Sequence, residues 1–171
     1  MTERVYTEKM IDFIQEIGLE IEFETLPEKT FLPGILIREG KLVVDRDKLK
    51  YPGDLLHEAG HLAVIPKSRR AETGAYVGVN PAEEMAAIAW SWAALKHLEL
   101  SPEIVFHPKG YKGASQNLID QFSQEHYIGS PILQWLGLCD HSGLGQMPES
   151  GEVADTVFPK MKKWLADELP V

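Results

Sequence analysis

Residues 54–65 read DLLHEAGHLAVI, two histidines four positions apart around a glutamate inside an otherwise apolar run. In an α-helix, positions i and i+4 share one face a single turn apart. His57 and His61 can therefore aim both imidazoles at one point, a geometry that suits a tetrahedral metal. Glu58 sits beside them, angled to meet a water rather than to ligate. Leu55, Leu56, Leu62, Val64 and Ile65 would bury the helix, and buried histidines need polar partners. A divalent cation is one such partner; hydrogen bonding inside an ordinary core helix is the alternative. Gly60 favours the first reading. A glycine in a helix interior costs roughly 1 kcal/mol against alanine, and its presence predicts close approach by another segment, the one that brings a third ligand.

That ligand is not a third histidine in the extended HExxHxxGxxH pattern, because residues 62–67 read LAVIPK. The remaining common solution is a glutamate from a second helix, and the next helix offers Glu83 and Glu84. Asn80 and Pro81 have the form of an N-cap and first helical residue. Glu83 is then the third helical residue, expected to reach back to the Asn80 backbone in a capping box. Glu84 shares a face with Ile88, Ser91 and Leu95. A carboxylate leading an apolar face is expensive unless a positive partner waits for it, so His57, His61 and Glu84 are the expected metal ligands.

Outward from this motif, residues 3–17 predict an amphipathic helix that ends at Gly18, and LEIEFET (19–25) alternates as a half-buried strand does. GILIREGKLVVD (34–45) predicts a hairpin turning at Glu39-Gly40. Residues 66–80 read as loop with a short strand over 75–79. PAEEMAAIAWSWAALKHL (81–98), apolar on nearly all faces, predicts a buried helix. An irregular crossing follows over 101–113, then helices near 114–127, 131–138 and 152–168. The fold class expected is α+β, one domain over 1–171, with a small antiparallel sheet packed on the two site-bearing helices and extra C-terminal helices.

Composition narrows the partners. With 26 acidic against 17 basic residues, a net charge of −9 disfavours nucleic acid. No apolar run reaches spanning length, so no membrane partner is expected. The single cysteine, Cys139, excludes an internal disulfide and fits the cytoplasm; it reads as a small buried hydrophobe. Trp90, Trp92, Trp135 and Trp164 read as core or pocket lining. The candidates for a second contact to an oxyanion are His141, in a small-residue loop, and Tyr111, in a glycine-flanked one. His126 shares a helical face with Leu118 and Phe122 and reads as a core histidine, His97 as a partner of the helix dipole. His107 has no evident role.

In these motifs the chain resembles a small gluzincin, and most closely the ImmA/IrrE-type metallopeptidases, over roughly residues 1–98. LLHEAGHLAV matches the first family motif. EMAAIAWS, from Glu84, matches the second (E-x-x-A-N-x-F-A) in Ala87, while Ile88 and Trp90 stand where that motif has asparagine and phenylalanine. The resemblance implies a minimal zincin-like domain with a hairpin ahead of the HExxH helix. No DNA-binding domain is recognised in these residues, so the repressor cleavage of that family is not expected here. The expected function is zinc-dependent hydrolysis of a peptide or protein substrate by a metal-activated water with Glu58 as general base. The alternative is a non-catalytic, metal-containing module of the same fold that binds a partner protein or peptide. A substrate peptide could add to the hairpin edge.

Overall fold

A computed structural model describes residues 1–27, 29–74, 80–145 and 156–170. Thr2 opens the first helix, its side chain accepting a hydrogen bond from Val5 N, and α1 (Glu3–Glu16) buries Met10, Ile11, Phe13 and Ile14. Three short strands follow: β1 (Ile21–Phe23), β2 (Ile35–Arg38) and β3 (Lys41–Val44). The alternating pattern puts Ile35, Ile37, Leu42 and Val44 into the core. β2 and β3 form the expected hairpin, Ile37 opposite Leu42, around Glu39 and Gly40, both with positive φ.

The sheet is mixed, not antiparallel as expected. Its order is β1-β3-β2, and β1 runs parallel to β3 with Ile21 opposite Leu42. The intervening chain carries β1 to the far edge of β3, where the Asp45 carboxylate holds it by accepting from Leu26 N at 2.9 Å. Alternation specifies which face of a strand is buried; it does not specify the direction of the neighbour.

The centre of the molecule is the contact between α2 (Asp54–Ala63) and α4 (Pro81–His97). Asn80 caps α4 by accepting from Ala82 N at 2.9 Å, with Pro81 as the first helical residue. Between them lies a short helix, α3 (Lys67–Arg70), in a stretch expected to be loop. Its Arg70 guanidinium donates to Leu62 O and Ile65 O, satisfying carbonyls left open around the end of α2, and to Ala166 O of a distant segment. The strand expected over 75–79 lies outside the described residues.

The crossing after α4 holds α5 (Pro102–Val105) and a 3-10 turn at Tyr111–Gly113, followed by α6 (Ser115–Ser123) and α7 (Ser130–Trp135). The helix expected over 152–168 is absent from its described part, 156–168. Val157, Phe158, Met161, Trp164 and Leu165 have helical spacing, but Pro159 supplies no N–H and the backbone is spent on tertiary bonds. Lys162 N donates to Leu138 O, Ala166 N donates to Ala63 O, and Trp164 O accepts from Trp90 Nε1. This irregular strap closes over the ends of α2 and α4. Trp90 and Trp92 are core residues, whereas Trp135 is 54% exposed, contrary to expectation. Among the described residues no helix is long and apolar enough to cross a membrane.

Candidate metal centre

Helix α2 delivers His57, Glu58 and His61 to one side of the α2–α4 contact. Leu55, Leu56, Ala59 and Leu62 are completely buried and fix its rotation. The close approach expected at Gly60 is present. A Cβ there would lie 2.9 Å from Ala87 O, 3.2 Å from Trp90 and 3.3 Å from Ser91 Oγ, all on α4. Ser91 Oγ donates to Ala87 O at 2.8 Å and reaches Leu56 O at 3.4 Å, tying the two helices together.

This contact sets Glu84 against the imidazoles. His57 Nε2 and His61 Nε2 are 3.1 Å apart, and the Glu84 carboxylate lies 2.9 Å from His61 Nε2 and 3.6 Å from His57 Nε2. Around a tetrahedral zinc with bonds of about 2.1 Å, donor atoms stand about 3.4 Å apart. The three observed gaps, with Glu84 Oε2 facing His61 and Glu84 Oε1 facing His57, bracket that value, so this donor set fits the cation. Glu58 also lies within 4.8 Å of both histidine donors, but Glu84 is the nearer carboxylate. Glu83 faces away; Arg69 donates to it at 2.8 Å. An ion pair to α3 therefore engages Glu83 in place of the expected capping box.

The electrostatics differ sharply along α2. Glu58 is 8% exposed, and burial pushes its carboxyl up to about 7; His61 opposes the shift, while the Asp54 and Glu84 charges add to it. Burial, reinforced by His61, lowers His57 to about 4 against the pull of Glu84. For Glu84 burial works upward, but the His61 hydrogen bond and the charges of His57, His61 and Lys112 outweigh it, and the carboxyl falls below its ordinary value. Burial, then the charges of Asp54, Glu84 and Glu58, raise the Tyr111 phenol well above 10.

Tyr111 is brought to the imidazole pair. Its hydroxyl lies 3.0 Å from His57 Nδ1, on the ring nitrogen opposite the one that faces Glu84. Tyr111 and Lys112 both have φ of 53°, left-handed conformations that cost non-glycine residues about 1–2 kcal/mol each. His141 is not brought to the imidazole pair. It is buried, its Nδ1 accepts from Gly143 N at 3.0 Å, and its backbone pairs with Thr156 and Phe158. His126 is exposed, because α6 ends at Ser123 before the expected face is completed. Cys139 is buried as expected, and burial together with the Asp140 charge pushes its thiol up to about 11.

Sequence reasoning missed Asp54 and His107. His107 Nε2 lies 2.7 Å from Asp54 Oδ1, in a buried pair one helical turn before His57. The Tyr51 ring stacks on His107 at 4.2 Å and 11°. Asp54 passes in the sequence for a helix-opening residue, and His107 lies 53 positions away with no spacing signal. In comparisons with known proteins, the chain matches no family model, no curated protein and no solved structure.

Proposed function

We propose that the protein is a zinc-dependent peptidase of minimal zincin architecture and gluzincin type, in which His57, His61 and Glu84 hold the cation and Glu58 is the general base. The observation that carries this reading is the meeting of Glu84 with the two imidazole Nε2 atoms at tetrahedral donor spacing. When bound, zinc supplies Lewis-acid polarisation of a carbonyl and acidification of water. The chain's own residues do the rest. His57, with its pKa lowered to about 4, is neutral at pH 7 and keeps a ring lone pair available as a donor. Glu84 stays ionised and matches the cation's charge.

Glu58, raised to about 7, is poised to exchange a proton at neutral pH. It takes one from water as that water attacks the carbonyl and returns it to the leaving amine. Among the described residues strand β2 is an edge of the sheet, so an extended peptide can pair along it by main-chain hydrogen bonds. The test is zinc stoichiometry and turnover of a mixed peptide library by the wild type and Glu58→Gln. The expected result is one zinc in both proteins and turnover only in the wild type. Glu84→Ala is expected to lose zinc and Glu83→Ala to keep it. Stoichiometric zinc without turnover of any library would instead assign the non-catalytic, partner-binding module, and zinc retained by Glu84→Ala would overturn the ligand set.

A further inference from the structure

We propose that the buried Asp54–His107 pair is a positioning device for this centre, acting through the Tyr111 hydroxyl on His57 to fix the direction in which that imidazole presents Nε2. The inference rests on the metal reading above. It begins with what His57 needs. An imidazole that offers Nε2 to a cation carries its proton on Nδ1, and a partner on Nδ1 sets both tautomer and ring orientation. Here that partner is the Tyr111 oxygen, 3.0 Å away, with the two rings nearly perpendicular at 83°.

Tyr111 comes from a turn, not from a helix or strand, and the turn needs an anchor. His107 supplies it. The His107 carbonyl accepts from Ser115 Oγ at 2.6 Å and from Gly110 N at 3.0 Å, closing the loop from 107 to 115 on itself. Gly110 lies so close that a Cβ would stand 3.2 Å from the His107 ring, so the backbone just ahead of Tyr111 rests on that imidazole. The ring is in turn held to the first residue of α2 by Asp54 at 2.7 Å and covered by Tyr51. The chain of contacts runs Asp54 to His107, His107 to Gly110 and Tyr111, and Tyr111 to His57. It starts and ends on α2, three residues apart.

As a purely stabilising feature the pair is inefficient. Asp54 Oδ2 and His107 Nδ1 are both buried without a hydrogen-bond partner among the described residues, and such groups weaken a core. The consecutive left-handed residues Tyr111 and Lys112 likewise persist only where the surroundings over-determine them.

The experiment measures zinc affinity of the full chain by competition with a chromophoric chelator, with the visible spectrum of the Co2+-substituted protein as a reporter of ligand geometry. Loss of an outer-shell partner weakens metal binding by about 10- to 100-fold, and Tyr111→Phe and His107→Ala are each expected to fall in that range and to alter the Co2+ spectrum. Because both act along one path, the double variant is expected to bind no more weakly than the weaker single one. His107→Gln, whose side-chain amide can donate to Asp54 in place of Nε2–H, is expected to restore most of the affinity, and it serves as the deciding variant if His107→Ala does not fold. Zinc affinity within 2-fold of wild type in folded Tyr111→Phe, no rescue by His107→Gln, or single effects that multiply in the double variant would each overturn the proposal. A wild-type chain that binds no zinc at all would overturn the metal reading itself, and this one with it.

Discussion

Replacing Glu58 by glutamine should make the metal-free protein more stable at neutral pH while removing the proposed peptidase activity. Glu58 is buried among Asp54, Glu84 and apolar side chains, and its carboxyl is held at about 7 against an ordinary 4.5. The folded state therefore binds a proton that the unfolded state releases between about pH 4.5 and 7. Stability attached to this group is present in acid and is lost as pH rises through that window. At about 1.4 kcal/mol per tenfold, the cost of ionising Glu58 in the fold reaches about 3 kcal/mol above pH 7.

His57 acts in the opposite sense. Its pKa is lowered from 6.5 to about 4, so the unfolded state binds the extra proton and stability falls as pH drops from about 6.5 to 4. In the wild type the two groups oppose each other between about pH 4.5 and 6.5. The difference between Glu58→Gln and wild type isolates Glu58, since His57 is common to both. Urea unfolding in the presence of a chelator, from pH 4 to 8, should show that difference near zero at pH 4 and about 3 kcal/mol in favour of the variant at pH 8. A difference independent of pH, or a variant less stable at pH 8, would refute the claim that a buried, uncompensated carboxyl sits at this position.

Three further outcomes follow from the geometry. Gly60→Ala gains about 1 kcal/mol of helix propensity but drives a methyl to 2.9 Å from Ala87 O. With overpacking at about 1–3 kcal/mol, the expected outcome is a net loss of about 1 kcal/mol in urea melts; a gain in stability would contradict the close approach of α2 and α4. Cys139, with a buried thiol near 11, should react with a thiol reagent at pH 8 at least about 100-fold more slowly in the folded than in the urea-unfolded chain. Zinc at about 100 times its dissociation constant should raise unfolding stability by about 2.7 kcal/mol; the same addition to Glu84→Ala should leave its unfolding midpoint in place.

The elements around the site were legible because their signals are local. The period of apolar residues marked α1, the four-residue histidine spacing within an apolar run marked α2, the alanine-rich stretch apolar on nearly all faces marked α4, Glu39-Gly40 marked the hairpin, and Asn80-Pro81 marked the start of α4. Gly60 announced a close neighbour before that neighbour was known. The turning of Glu84 and not Glu83 towards the imidazoles was also readable, since consecutive helical residues point about 100° apart and only one can share the face of Ser91. The reason given for Glu83 was wrong in detail: its partner is Arg69 on a short helix that the sequence does not advertise.

What the chain's own pattern determined was therefore the two helices and the side chains on their facing surfaces, because periodicity and capping are properties of neighbouring residues. Tertiary structure alone decided the parallel docking of β1, the irregular strap over 156–170, the burial of His141, and the meeting of Asp54, His107 and Tyr111 behind His57. Each of these depends on contacts between segments distant in sequence, whose energies are set by packing and desolvation once the chain has closed. No spacing of letters records them.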